Sequence, residues 1–259
     1  MEKVIIQGIK ANDHRILSRV ITRIENDDYV HEKRFIELYD QAQGAIRLGI
    51  TGPPGAGKGT QAQLLREKFS LAHISSGDLF RHHLGQGTPL GLRAKGYMNK
   101  GELVPDEVTI DIILDKVMSI HGDEGFILDG FPRNPNQAVV LENKLTAESR
   151  NLDKVVHIDV SEPELERRLG GRFICRECQS PHSIVDGEDK SDKKCDQCGG
   201  GLYQRDDDAP VAVKKRIEVY NAETSPVLEF YRERGVLVDI PGDNPVDEVN
   251  KLVMTALGF

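Results

Sequence analysis

Apolar positions along this chain switch between a helical and a strand-like period, and the order of the switches predicts an α/β fold. Near the start, Ile16, Leu17, Val20, Ile21 and Ile24 recur at helical spacing, and Phe35, Ile36, Leu38 and Tyr39 suggest a second short helix. Short apolar runs of strand length follow at residues 45–51, 71–74, 126–129, 155–160 and 236–240. Helical patterns separate them, one over 58–69 and the longest over about 210–234. Strands alternating with helices predict a parallel sheet covered by helices on both faces. Between Arg172 and Arg205 both periods give way to a polar stretch rich in Gly and Asp, which reads as an inserted subdomain.

At 259 residues the chain has room for one large α/β domain with appendages. Its net charge of −8 argues against a general nucleic-acid binder, while leaving room for a local basic pocket. No apolar run approaches the ~18 residues of a membrane span. Asp13, Glu25, Asp27, Asp28 and Glu32 count against an acid-poor transit peptide, and the expectation is a cytoplasmic protein.

The strand over 45–51 runs directly into GPPGAGKGT (residues 52–60), and a helix follows. That succession is the context a phosphate-binding P-loop needs. Four glycines in nine positions let backbone N–H groups close on phosphate oxygens, and the helix starting near Lys58 directs its positive end at them. Lys58 supplies a point charge for the β- and γ-phosphates. After that lysine, however, the general pattern requires a hydroxyl, and this chain has Gly59, with the hydroxyl delayed to Thr60.

All four cysteines fall in two C-x-x-C pairs, Cys175/Cys178 and Cys195/Cys198. The spacing predicts two thiolate hairpins closing a tetrahedral structural site, with zinc expected and iron the alternative. The insert carries few large apolar side chains, so metal binding would supply its folding free energy.

The displaced hydroxyl is a family marker: GPPGAGKGTQA resembles the loop of adenylate kinases and related nucleoside-monophosphate kinases. The resemblance covers almost all of residues 46–259. It implies a P-loop NTPase-type sheet, a monophosphate-binding segment at 75–104, and a zinc-binding lid at 171–208, the lid matching also in its GGGLYQR run. It further implies reversible phosphoryl transfer from Mg-ATP to AMP giving two ADP, by direct in-line transfer under a closing lid. ATP contacts fall by resemblance on Gly55, Ala56, Gly57, Lys58, Gly59, Thr60, Arg168 and Asn244. Where such lids often place Thr-Tyr, this chain has Pro181-His182, which leaves His182 to stand in for the aromatic stack on the ATP base. The segment HISSGDLFR (73–81) would place Ser76 at the base and Arg81 at the phosphate of AMP. GELVPD (101–106) would close Glu102, Leu103 and Val104 over the adenine. DGFPR (129–133) resembles the central signature, with Asp129 orienting the water shell of magnesium and Arg133 bridging phosphates beside Gly130, Phe131 and Pro132. Gln137 stands where adenylate kinases read the amino group of AMP, and where pyrimidine kinases carry Asn. Arg172, Arg205 and Arg216 complete the implied catalytic arginines with Arg168. Arg168 and Arg172, four apart, are expected to share a helix face. Asp207 and Asp208 match an acidic pair near the lid hinge.

Residues 1–45 are extra. With the GAIRLGITGPPGAGK run they resemble the lead-in of GTPases associated with methylmalonyl-CoA mutase (ArgK-type), and they could mediate self-association of a protein otherwise expected to be a monomer. A GTPase-like switch is disfavoured because the guanine-reading N-K-x-D motif has Glu102 in its last position. A UMP, CMP or GMP kinase is the nearer rival. A zinc module binding nucleic acid lacks the basic balance.

Overall fold

The computed structural model describes residues 45–121, 124–178, 180–183 and 194–259. The helical lead expected over 1–45 lies outside the described residues, apart from Ala45. The account that follows concerns one compact unit, 47–121 with 125–259.

Five strands form a parallel sheet: β1 (Arg47–Thr51), β2 (Ala72–Ser75), β3 (Phe126–Asp129), β4 (Lys154–Asp159) and β8 (Leu237–Pro241), in the order β2-β3-β1-β4-β8. Each expected strand is present within two residues of its predicted start. The first begins at Arg47 because the Arg47 backbone N–H is taken by the Asp153 carboxylate at 2.6 Å. Alternation is absent from these strands because both faces are covered. On one face Ile74, Phe126 and Leu128 pack with Ile113 and Val117 of α4 (Asp106–Met118) and with Leu141 and Leu145 of α5 (Pro135–Ala147). Leu48, Ile50, Ile127, Val156 and Ile158, at the alternate positions, are equally buried. On the sheet lie α1 (Lys58–Phe69), against β1 and β3, and α9 (Val246–Ala256), against β8.

Two short helices, α2 (Ser76–Gly85) and α3 (Pro89–Met98), follow β2 and pack closely on each other. The Ser75 hydroxyl caps α2 by accepting from the Asp78 N–H at 3.2 Å, and Thr88 caps α3 through Gly91 at 3.1 Å. After β4, α6 (Glu162–Gly170) leads into a separate antiparallel sheet, β6 (Pro181–Ser183), β5 (Arg172–Cys175) and β7 (Leu202–Tyr203), with β5 in the middle. These three strands fall within residues 171–208.

One expectation is corrected. Arg168 and Arg172 do not share a helix face, since α6 ends at Gly170 and Arg172 opens β5. The helical pattern expected over 210–234 is present from Pro210 to Glu233 without a gap, but its hydrogen-bond period changes inside it. It consists of α7 (Pro210–Val219), a wide π turn at Tyr220–Thr224, and α8 (Ser225–Glu233). Pro226, in the first turn of α8, has no N–H to give and its ring crowds the carbonyl four residues back, so the ladder widens before it.

Candidate active site

The site is built at the carboxyl ends of β1 and β3, which are hydrogen-bonded neighbours with Ile50 opposite Asp129. Strand β1 ends in the glycine loop. Gly52 has φ 141°, and a Cβ there would lie 2.5 Å from the Ile158 carbonyl oxygen, so only glycine lets the loop pass over β4. Gly57 is the N-cap of α1 and offers no side-chain acceptor, which leaves the first N–H groups of the helix available to an anion.

The Lys58 ammonium donates to the carbonyls of Gly52 and Pro53 at 2.7 and 2.8 Å, folding back across the loop it follows. Burial lowers its pKa to about 7; Asp129 opposes the shift, and Arg133, Arg216 and Arg172 add to it. Asp129 turns its carboxylate to within 3.3 Å of His73 Nε2, a contact for which the sequence held no signal. Gly130, next in chain, has φ 72° and turns its carbonyl inward, where it accepts from Ser76 Oγ and Arg133 Nε, both at 2.7 Å. Phe131-Pro132 is a cis peptide. The Arg133 pKa is lowered to about 10, chiefly by burial and then by Arg216.

Two adjoining cavities meet at this point. The first is lined by Ser76, Arg81, Glu102, Leu103, Val104 and Gln137 among others, the second by Thr51, Gly52, Lys58, Gly130, Pro132 and Tyr220 among others. Arg133, Arg216, Gly101 and Leu103 border both. Residues far apart in sequence thus line two joined cavities. Arg81 is held by Asp78 at 2.5 Å, and Gln137 is buried at the foot of α5.

The remaining arginines are organised by acids. Arg216 donates to the Asp207 carbonyl at 2.9 Å and to Asp208 at 3.1 Å, and Arg172 pairs with the same Asp208 carboxylate. Asp208 is buried, so this member of the hinge pair is no surface acid. Arg205 has a buried Nε without a hydrogen-bond partner among the described residues, and burial together with Arg81 and Arg172 lowers its pKa. Arg168 lies apart from both cavities, bonded to Glu164 at 2.6 Å and to the Gly242 carbonyl at 2.8 Å. Asn244 sits half-buried in the turn before α9.

In the insert, the four cysteine sulfurs lie within 4.8 Å of one another, with Cys175–Cys198 at 3.4 Å and Cys178–Cys195 at 3.5 Å. A tetrahedron of thiolates about 2.3 Å from zinc has edges of about 3.8 Å, so the donor set fits. His182, on β6, is turned to Asp196 beside this cluster at 3.5 Å.

A parallel sheet carrying a P-loop, with two basic compartments joined across Arg133 and Arg216, defines a nucleotide-binding protein of the P-loop class. The comparisons with known proteins narrow the class. The family model for adenylate kinase matches residues 50–236. The adenylate kinase of Methanocella arvoryzae is 50% identical over 212 residues, covering 82% of this chain and 98% of that protein. Those of Alkaliphilus oremlandii and Streptomyces coelicolor are 47% and 46% identical, each also over 82% of this chain. The chain belongs to the adenylate kinase family.

Proposed function

We propose that the protein moves a phosphoryl group reversibly between ATP and AMP, giving two ADP. The observation that carries this reading is the pair of compartments sharing Arg133 and Arg216, with Lys58 on one side and Ser76, Arg81 and Gln137 on the other. A donor phosphate in the glycine loop and an acceptor phosphate near Arg81 would then face each other across the shared arginines.

In this reading Lys58 releases the Gly52 and Pro53 carbonyls and takes the β- and γ-phosphates, while the N–H groups of residues 55–60 surround them. Thr60 meets the α-phosphate. Arg133 and Arg216 hold the migrating charge, with Arg172, Arg205 and Arg168 brought in as the segments at 75–104 and 171–208 close and exclude water. Magnesium would neutralise phosphate charge, with Asp129 holding its water shell; the position of its carboxylate beside Gly59 in the first turn of α1 suits that role. Glu102, Leu103 and Val104 cover the base that Gln137 reads, and Phe131 and Pro132 fix the turn that presents Arg133. His182 and Asn244 are assigned to the ATP base side. Cys175, Cys178, Cys195 and Cys198 hold a structural zinc. We read the enzyme as a cytoplasmic monomer; no helix among the described residues is long and apolar enough to cross a membrane.

The test is a coupled assay of ADP formation from Mg-ATP with AMP, GMP, UMP or CMP, or with no acceptor. Rapid turnover confined to AMP is expected; preference for another monophosphate would move the specificity, and acceptor-independent hydrolysis would overturn the reading.

A further inference from the structure

Gln137 does not hang free in its cavity. Its amide oxygen accepts the backbone N–H of Arg133 at 2.8 Å, and its amide nitrogen donates to Asp106 Oδ1 at 2.7 Å. Asp106 opens α4, and its carboxylate collects two more amides, Asn134 Nδ2 on Oδ1 and Asn136 Nδ2 on Oδ2, both at 2.8 Å. Asn134 in turn caps α5, its oxygen accepting the Gln137 backbone N–H at 2.9 Å.

The chemistry of these partners settles which way the Gln137 amide points. An ionised carboxylate only accepts hydrogen bonds and a backbone N–H only donates. The atom facing Asp106 must therefore be nitrogen and the atom facing Arg133 must be oxygen. Rotating the amide by half a turn would oppose two acceptors on one side and two donors on the other, losing both bonds. One N–H and one oxygen lone pair remain for a ligand. That pattern fits a base edge presenting a ring-nitrogen acceptor beside an exocyclic amino donor, as adenine does. A 6-oxopurine presents the reverse, N1–H beside a carbonyl, and an amide free to flip would accept either.

We propose that Asp106 is the positioning residue for base specificity, holding the Gln137 amide in the one orientation that matches a 6-aminopurine and rejects a 6-oxopurine. The proposal rests on the reading of Gln137 as the base-contacting residue. Burial opposes ionisation of Asp106, but the donors on Asn136, Asn134 and Gln137 outweigh it and hold the carboxyl below its usual range. The acceptor-only form therefore persists at any ordinary assay pH.

The experiment compares kcat/KM for AMP and for inosine monophosphate, which differs from AMP only along this edge, in the wild type and in Asp106→Asn, Asp106→Ala, Asp106→Glu and Gln137→Ala. In Asp106→Asn the new amide can meet Gln137 in either orientation, so that only the Arg133 N–H still favours one of them, and the AMP-to-IMP ratio should fall about tenfold. The change should appear in the KM of the two acceptors rather than as a common loss of kcat. Asp106→Ala should lose the ratio likewise, and Asp106→Glu, which keeps an acceptor-only group, should regain part of it. A common loss for both acceptors with the ratio intact in the Asp106 variants, but lost in Gln137→Ala, overturns the lock and leaves the base reading standing. A ratio unchanged in Gln137→Ala overturns the base reading and the lock together. The wild type gives an independent measurement that needs no folded variant. The Gln137 side-chain amide should exchange its protons with solvent slowly in the absence of nucleotide, and exchange at the rate of a free glutamine amide overturns the proposal.

Discussion

Arg172 and Asp208, thirty-six positions apart, are joined by two parallel hydrogen bonds, Nε to Oδ2 at 2.8 Å and Nη2 to Oδ1. The pair closes the root of the cysteine-bearing insert. Asp208 is fully buried, and it also accepts from Arg216 at 3.1 Å, so one carboxylate holds two arginines in place. Asp208→Ala would leave both cations without their shared counter-charge. Removing one partner of a buried ion pair costs about 3–5 kcal/mol, and part of that should appear as a lowered midpoint in urea unfolding. A midpoint unchanged from wild type would show that the arginines re-pair elsewhere.

Lys58 connects local burial to pH dependence. Its pKa is lowered to about 7 chiefly by burial, so in the nucleotide-free protein the ammonium is charged below that value and neutral above it. Phosphate anions favour the charged form, so ATP binding at pH 8 should take up a proton. Since kcat/KM reports ionisations of the free enzyme, its value for ATP should fall about tenfold per pH unit above about 7. Calorimetry in buffers of differing ionisation enthalpy and a pH–rate profile measure the two effects. Lys58→Met should lower kcat by about a hundredfold or more and abolish the slope, and a slope that survives in this variant assigns the ionisation elsewhere.

Chelation tests the thiolate cluster. One equivalent of zinc should leave the protein on treatment with a strong chelator in mild denaturant, and the released metal is read by a colorimetric indicator. Serine at Cys175, Cys178, Cys195 and Cys198 should lower the thermal stability of the insert, because so little apolar surface is available there to replace the metal. A melting curve that matches wild type would rule out a structural metal.

Gly91, in the first turn of α3, packs against the backbone of α2. A Cβ at this position would lie 2.3 Å from the backbone of His83 and Leu84, atoms that cannot swing aside. Gly91→Ala should therefore push the two helices apart, at a cost of about 1–3 kcal/mol, and raise KM for the monophosphate more than for ATP. Equal KM values in variant and wild type would show that this helix pair does not shape the acceptor site.

Much of this site was legible in the chain because its motifs are local. A glycine loop between a strand and a helix, or a single C-x-x-C pair, states its own geometry within about ten residues. Contacts made across the fold leave no such trace. Asp106 read as the last letter of a motif, and nothing in its neighbourhood showed that it meets Asn134, Asn136 and Gln137 some thirty positions on. The same holds for His157 on β4, which bonds Asp239 at 2.7 Å and the Tyr220 hydroxyl at 3.1 Å. Arg168 and Arg172 misled because periodicity extends past a helix end that only the following glycines and β5 define. The helical pattern over 210–234 is present but hid the π turn inside it, which keeps the apolar face while changing the hydrogen-bond partner; only Pro226 hinted at it.

The central strand of the insert, β5, pairs with β6 on one side and β7 on the other, so the chain enters and leaves through adjoining antiparallel ladders. The parallel sheet that carries Lys58 does not take part in the register of this three-stranded sheet. Changes to the turns that carry the cysteines should therefore leave the strand register of the parallel sheet intact.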